Sequence, residues 1–176
     1  MKVFLSFSGE RSRAVAEAFR DGLRPVIQAV DPYISSRDID KGARWAEEIT
    51  QQLEASHFGI IFVTSDNLDA KWLHFEAGAL SKSLERGRVA PFLFGVEQEQ
   101  LHGPLTMFQS TRNTAEDIRA LVQTINSFSE QPLAETDLSQ IFNVWWPRLQ
   151  KNLECIARNP DLQPHGPAPR VDPREV

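Results

Sequence analysis

The sequence predicts an open, parallel α/β sandwich, and three observations lead there. Short, wholly apolar runs alternate along the chain with segments of helical period. The apolar runs lack polar alternation, as strands buried on both faces do. The connections between them are short, and strands alternating with helices in this way wind into a parallel sheet covered on both sides.

Each element follows from its own pattern. Val3-Phe4-Leu5-Ser6-Phe7 is a β-prone apolar run and forms the first strand. Val15, Ala18, Phe19, Gly22 and Leu23 then recur at helical spacing and give a first helix, with Pro25 expected just past its end. A second strand covers roughly 29–35, and Pro32 inside it points to an edge position. Trp45, Ile49 and Leu53 mark a second helix. Phe58-Gly59-Ile60-Ile61-Phe62-Val63 is the strongest strand signal and is expected at the centre of the sheet. A third helix runs from about 70 to 85, with Asp69 as its N-cap and Gly87 at its end. Residues 89–94 form a fourth strand interrupted by Pro91, and a short fifth strand is expected near 108–110. Thr114 caps a helix carrying Ile118, Leu121, Val122 and Ile125. The outcome is a flavodoxin-like three-layer sandwich with a five-stranded parallel sheet, complete over residues 1–128.

A helical appendix follows over 129–158. Leu138, Ile141, Phe142, Trp145, Leu149, Leu153 and Ile156 carry the stripe, and Pro147 inside it predicts two short helices or one kinked helix. Trp145-Trp146 fits either packing of the appendix onto the sheet domain or a partner surface. Five of the eleven prolines fall after Asn159, so 159–176 reads as a disordered tail or a linker.

Composition narrows the function. The chain has 176 residues, 41% hydrophobic and 24% charged, which is globular and excludes a disordered polymer. A net charge of −5 excludes a domain-wide basic footprint for nucleic acid. Cys155 is the one cysteine, so neither an internal disulfide nor a cysteine zinc cluster is expected, and the four histidines lack ligand spacing. No run reaches the ~20 apolar residues of a membrane helix, and Met1–Glu10 lacks the form of a secretory signal. A reducing, cytoplasmic setting is expected.

In open parallel sheets, ligands bind beyond the carboxyl ends of the strands. Four loops share that rim: 7–9, 36–42, 64–67 and 95–101. The third helix starts there and carries Trp72 and Glu76. A carboxylate amid Phe75, Ala79 and Leu80 is costly without partners or a task. Glu76 is therefore either an edge glutamate or a functional one. The loop Ser36-Arg37-Asp38-Ile39-Asp40-Lys41-Gly42 reads as a solvated loop or, through Arg37 or Arg44, as a phosphate contact. Trp45 is core packing or a ring for stacking. No GxGxxG follows a strand, and neither GxxxxGK[ST] nor GxSxG occurs. Ser6-Phe7-Ser8 takes the place of the acidic pair of a phospho-receiver.

On these residues the sequence resembles a Toll/interleukin-1 receptor (TIR) domain of the bacterial, NAD-consuming type. Val3–Glu10 is similar to the family's first box, and Arg37-Asp38…Gly42 to its BB loop, with Lys41 where the family often has proline. Trp72-Leu73-His74-Phe75-Glu76 fits WxxxE, followed by Ala77-Gly78-Ala79-Leu80. The resemblance spans about residues 1–128. It implies cleavage of the nicotinamide–ribose bond of NAD+, with Glu76 catalytic and release of ADP-ribose or a cyclic product. Phe7, Ser8, Arg37, Trp45 and Trp72 would hold the substrate. Asp38, Lys41 and Gly42 would serve assembly. NAD+ is substrate, and no cofactor or metal is implied. Partners would be further TIR domains and a sensor or effector protein, in antiviral defence. Two alternatives remain at this stage, a non-catalytic TIR–TIR adaptor and a nucleoside deoxyribosyltransferase-like enzyme.

Overall fold

A computed structural model describes residues 1–34, 55–69 and 88–162. The expected helices over 45–53 and 70–85, the loop 36–42 and the tail from 163 lie outside the described residues. Five strands, β1 (Lys2–Ser6), β2 (Asp31–Ile34), β3 (Phe58–Thr64), β4 (Val89–Phe94) and β5 (Thr111–Arg112), form one parallel sheet in the order β2-β1-β3-β4-β5. This is the flavodoxin-like order, and β3 stands at its centre as its unbroken apolar run requires. Pro32 falls on the edge strand, in register with Val3. Pro91 precedes the first β5 pairing, Phe92 with Thr111, so at Pro91 the strand pairs on one side only. That is how a proline persists inside this sheet.

The strand period of two sorts the core into two layers. Val3, Leu5, Phe58, Ile60, Phe62, Ala90, Phe92 and Phe94 pack on one face, and Phe4, Ile61, Val63, Val89 and Leu93 on the other. On the first face lies α1 (Glu10–Val26), which buries Val15, Ala16, Phe19, Gly22, Leu23 and Val26. Phe19 joins it to the sheet, with ring centroids 5.3 Å from Phe62 and 4.7 Å from Phe92. The helix runs through Pro25 rather than ending before it. In the last turn of a helix, proline gives up only one backbone bond.

The same face carries α2 (Ala115–Ser127) and α3 (Glu135–Arg158). Thr114 caps α2 as expected, its hydroxyl accepting from Asp117 N–H at 3.2 Å. The fifth strand is displaced from the expected 108–110 to Thr111–Arg112. Phe108 goes instead into the second core layer, because burial of its ring outweighs extension of the ladder. α3 is one continuous helix with Pro147 inside it. Asn126 holds the turn before it, donating to Leu133 O and accepting from Leu133 N–H, both at 3.0 Å. Leu138, Phe142, Trp145, Leu149 and Leu153 are buried in the layer that holds α1. Trp145 lies across Gly22, where an added Cβ would overlap the indole. Trp146 is half-buried and stacks on Phe142, with centroids 5.9 Å apart. No described helix is long and apolar enough to cross a membrane.

Candidate functional site

Among the described residues, the carboxyl rim is built around one buried amide. Asn67, 3% exposed, sits three residues past the end of β3. Its Oδ1 accepts from Thr64 N–H at 2.8 Å, and its Nδ2 donates to Phe62 O at 3.1 Å and to Ser8 O at 3.0 Å. The amide thereby closes the turn after β3 and ties it to the loop after β1. Ser12, in the first turn of α1, secures that loop from the other side. Its Oγ accepts from Ser8 N–H at 2.9 Å and donates to Ser8 O at 2.6 Å. Gly9 begins the helix at φ 87°, a conformation that disfavours side chains, and an added Cβ there would stand 3.2 Å from Asp66 Oδ2.

These bonds place two of the residues read from sequence. Ser8 is half-buried, and its backbone N–H and carbonyl are both engaged in pinning the loop. Phe7 is half-buried against the core, with the Arg13 guanidinium 6.0 Å from its ring centroid. Glu76, Arg37, Trp45, Trp72, Asp38, Lys41 and Gly42 lie outside the described residues. Asp69, just before the segment carrying Trp72 and Glu76, meets His102 with Oδ1 and Nε2 3.0 Å apart. That contact links the β3 loop to the loop after β4.

Three rim residues were not singled out from sequence. Asn67 was named only as the end of a loop, although an asparagine shortly after a strand is a turn-former with a mechanism. Ser12 gave no signal, since serine in a first turn is ordinary. Arg11 drew no reading from sequence, yet its guanidinium lies 5.2 Å from the Phe94 ring centroid and its Nε is buried.

Elsewhere the chain has other features. A cavity of about 160 Å³ between α2 and the β4–β5 edge is lined by Thr111, Asp117 and Thr124. One of about 360 Å³ at the amino ends of the strands is lined by Met1, His57 and Phe128. Asp117 accepts from the Arg112 backbone N–H at 2.9 Å and from its guanidinium at 3.1 Å. The backbone bond, with the guanidinium adding to it, holds the Asp117 carboxyl below its ordinary value. Among the described residues no group of three or more metal-ligating side chains comes together.

A family model described as "TIR domain" matches residues 3–125. No curated protein matches the chain. Among solved structures, the TIR domains of the activated Roq1 resistosome directly recognizing the pathogen effector XopQ are similar at 16% identity. The alignment covers 89% of this chain and 96% of that one, with a TM-score of 0.45.

Proposed function

Because the chain belongs to the TIR domain family, we propose that it cleaves the nicotinamide–ribose bond of NAD+ as an assembly-activated signalling enzyme. The reading is carried by one observation: Trp72-Leu73-His74-Phe75-Glu76 satisfies WxxxE inside the matched span, with its glutamate set in an apolar stripe. Cleavage of an N-glycosidic bond passes through an oxocarbenium-like transition state. Nicotinamide leaves a pyridinium as a neutral molecule, so no general acid is needed. One carboxylate facing the developing positive charge then suffices, and Glu76 supplies it. Water as nucleophile yields ADP-ribose, and an internal nucleophile yields a cyclic product.

Phe7, Trp45 and Trp72 offer rings for stacking, and Ser8 and Arg37 offer donors for ribose or pyrophosphate. The pinned loop of Phe7 and Ser8 supports this role, since a loop held at both ends presents its groups without further ordering. NAD+ is substrate, with no further cofactor. Asp38, Lys41 and Gly42 serve contacts between copies. The setting is the cytoplasm, in antiviral defence downstream of a sensor.

The test is NAD+ consumption by concentrated protein, wild type beside Glu76→Gln. Turnover is expected in the wild type and a loss of at least about a hundredfold in the variant, with unchanged circular dichroism. Product chromatography then separates hydrolysis from cyclisation. An assembled wild type that leaves NAD+ intact, with assembly lost on Asp38→Ala or Gly42→Ala, would replace this reading with that of an adaptor.

A further inference from the structure

We propose that the exposed flank of α3 is the interface of an antiparallel dimer, its partner a second copy of this chain. The contact lies outside the span 3–125 matched by the family model, and it depends neither on the reaction above nor on the loop 36–42. One flank of α3 faces the core, where Leu138, Phe142, Trp145, Leu149 and Leu153 are buried. Beside it runs a second row, Asp137, Ile141, Val144 and Arg148. Their spacing of four, three and four keeps them in one line along a helix. Ile141 is half-buried, whereas Asp137 and Arg148 are exposed. Val144 is 82% exposed, the most of any large apolar side chain among the described residues.

A lone exposed apolar residue is ordinary on a protein surface. What sets this row apart is that it complements itself. A two-fold axis passing between Ile141 and Val144 sets Ile141 against Val144 of the partner subunit. The same axis sets Asp137 against Arg148 of the partner subunit, because both pairs are symmetric about one point of the helix. Within one chain Asp137 and Arg148 cannot meet, since the helix holds them about 16 Å apart. Among the described residues neither takes part in an ion pair. A parallel pair would set aspartate against aspartate and arginine against arginine, and like charges disfavour it. The next antiparallel register towards the C-terminus sets Arg148 against Val144 and Lys151 against Ile141, which leaves cations over apolar side chains with no carboxylate.

The apolar centre supplies the attraction, and the ion pairs on either side fix direction and register. The row is short, so it buries less than a permanent dimer needs. The association is accordingly weak, with a dissociation constant of roughly 0.1 mM. The extension then has two roles, one flank completing the core and the other joining copies.

Sedimentation equilibrium of the full chain tests this. A monomer–dimer equilibrium is expected, with most of the chain dimeric at roughly 0.5 mM. Asp137→Arg or Arg148→Asp alone opposes like charges on both sides of the axis and should weaken the dimer about tenfold or more. The two changes together restore the pairs with their signs reversed, and affinity should return to within about threefold of the wild type. Val144→Glu should remove the dimer at the same concentration, since it sets a carboxylate against an apolar side chain. These three side chains are exposed, so melting temperatures at low concentration should stay within about 3 °C of the wild type, which separates a lost contact from a lost fold. A chain that stays monomeric at roughly 0.5 mM overturns the proposal, whether the tail from 163 or another protein then covers the row. A dimer indifferent to the single changes overturns it too, because another surface, the loop 36–42 among them, would then join the copies. So does a dimer that both reversals weaken and their combination fails to rescue.

Discussion

Two polar side chains hold this molecule in ways that single substitutions can measure. Asn67 makes three hydrogen bonds from a buried position, and they join the ends of β3 and the β1–α1 loop. Asn67→Ala strands those backbone groups and is expected to cost about 2–4 kcal/mol, read as a fall of roughly 5–15 °C in the thermal midpoint. Asp117 tests electrostatics instead. Its carboxyl is held below the ordinary value by the Arg112 backbone N–H and then by the guanidinium. A depressed folded value means a contribution that is complete above the unfolded pKa and is lost as pH falls through the folded one. Asp117→Asn should therefore be less stable by about 1–2 kcal/mol at pH 7, with the gap to wild type closing below about pH 4. Urea melts of both proteins across pH 2–7 provide the check. Neither role was legible beforehand: the tie from Asn67 to Ser8 spans 59 positions, and the Arg112–Asp117 pair, five residues apart across the turn into α2, follows no helix or strand period.

At the scale of elements, the contact between α1 and α3 decides most. Gly22 is the low point on the apolar face of α1, and Trp145 occupies the space that a Cβ would take. On an isolated helix Gly22→Ala would gain about 1 kcal/mol. In this chain the new methyl meets a buried ring, and the expected outcome is a net loss of about 1–3 kcal/mol. Trp145→Ala should cost about 3–5 kcal/mol. In the double variant the two losses should not add, since alanine at 145 vacates the space that the methyl needs. Chemical denaturation of the four proteins measures that coupling. The helical stripe of α3 was visible in sequence, as were both aromatics at its centre. The stripe already carried Trp145 rather than Trp146; what the sequence did not show was its seat on Gly22, since only docking against α1 brings the two together.

For the molecule as a whole, the question is whether the chain past residue 128 is separable. The family match ends at residue 125, yet α3 buries Leu138, Phe142, Trp145, Leu149 and Leu153 in the core layer shared with α1. Each such side chain contributes roughly 1.5–3 kcal/mol. Together they rival the 5–15 kcal/mol, in round terms about the whole stability, of an ordinary domain. Residues 1–128 alone should therefore lose cooperative melting and bind a hydrophobic dye, whereas residues 1–162 should melt like the full chain. A truncated protein melting at the temperature of the whole would make the extension an appendix in the strict sense.

What the sequence alone determined is local in origin. The alternation of period, the central apolar run of β3, the edge proline of β2 and the Thr114 cap each rest on contacts within a few residues, so strand order and fold class could be read directly. The rim loop of Phe7 and Ser8 was legible too, because in a parallel sheet the carboxyl ends of the strands fall together. Only the tertiary structure decided how that rim is held and charged. The tie from Asn67 to Ser8, the guanidinium of Arg11 over Phe94 and the seat of Trp145 on Gly22 join residues 59, 83 and 123 positions apart. No periodicity encodes such pairs; they exist because packing the two core layers leaves each of those groups one place to go.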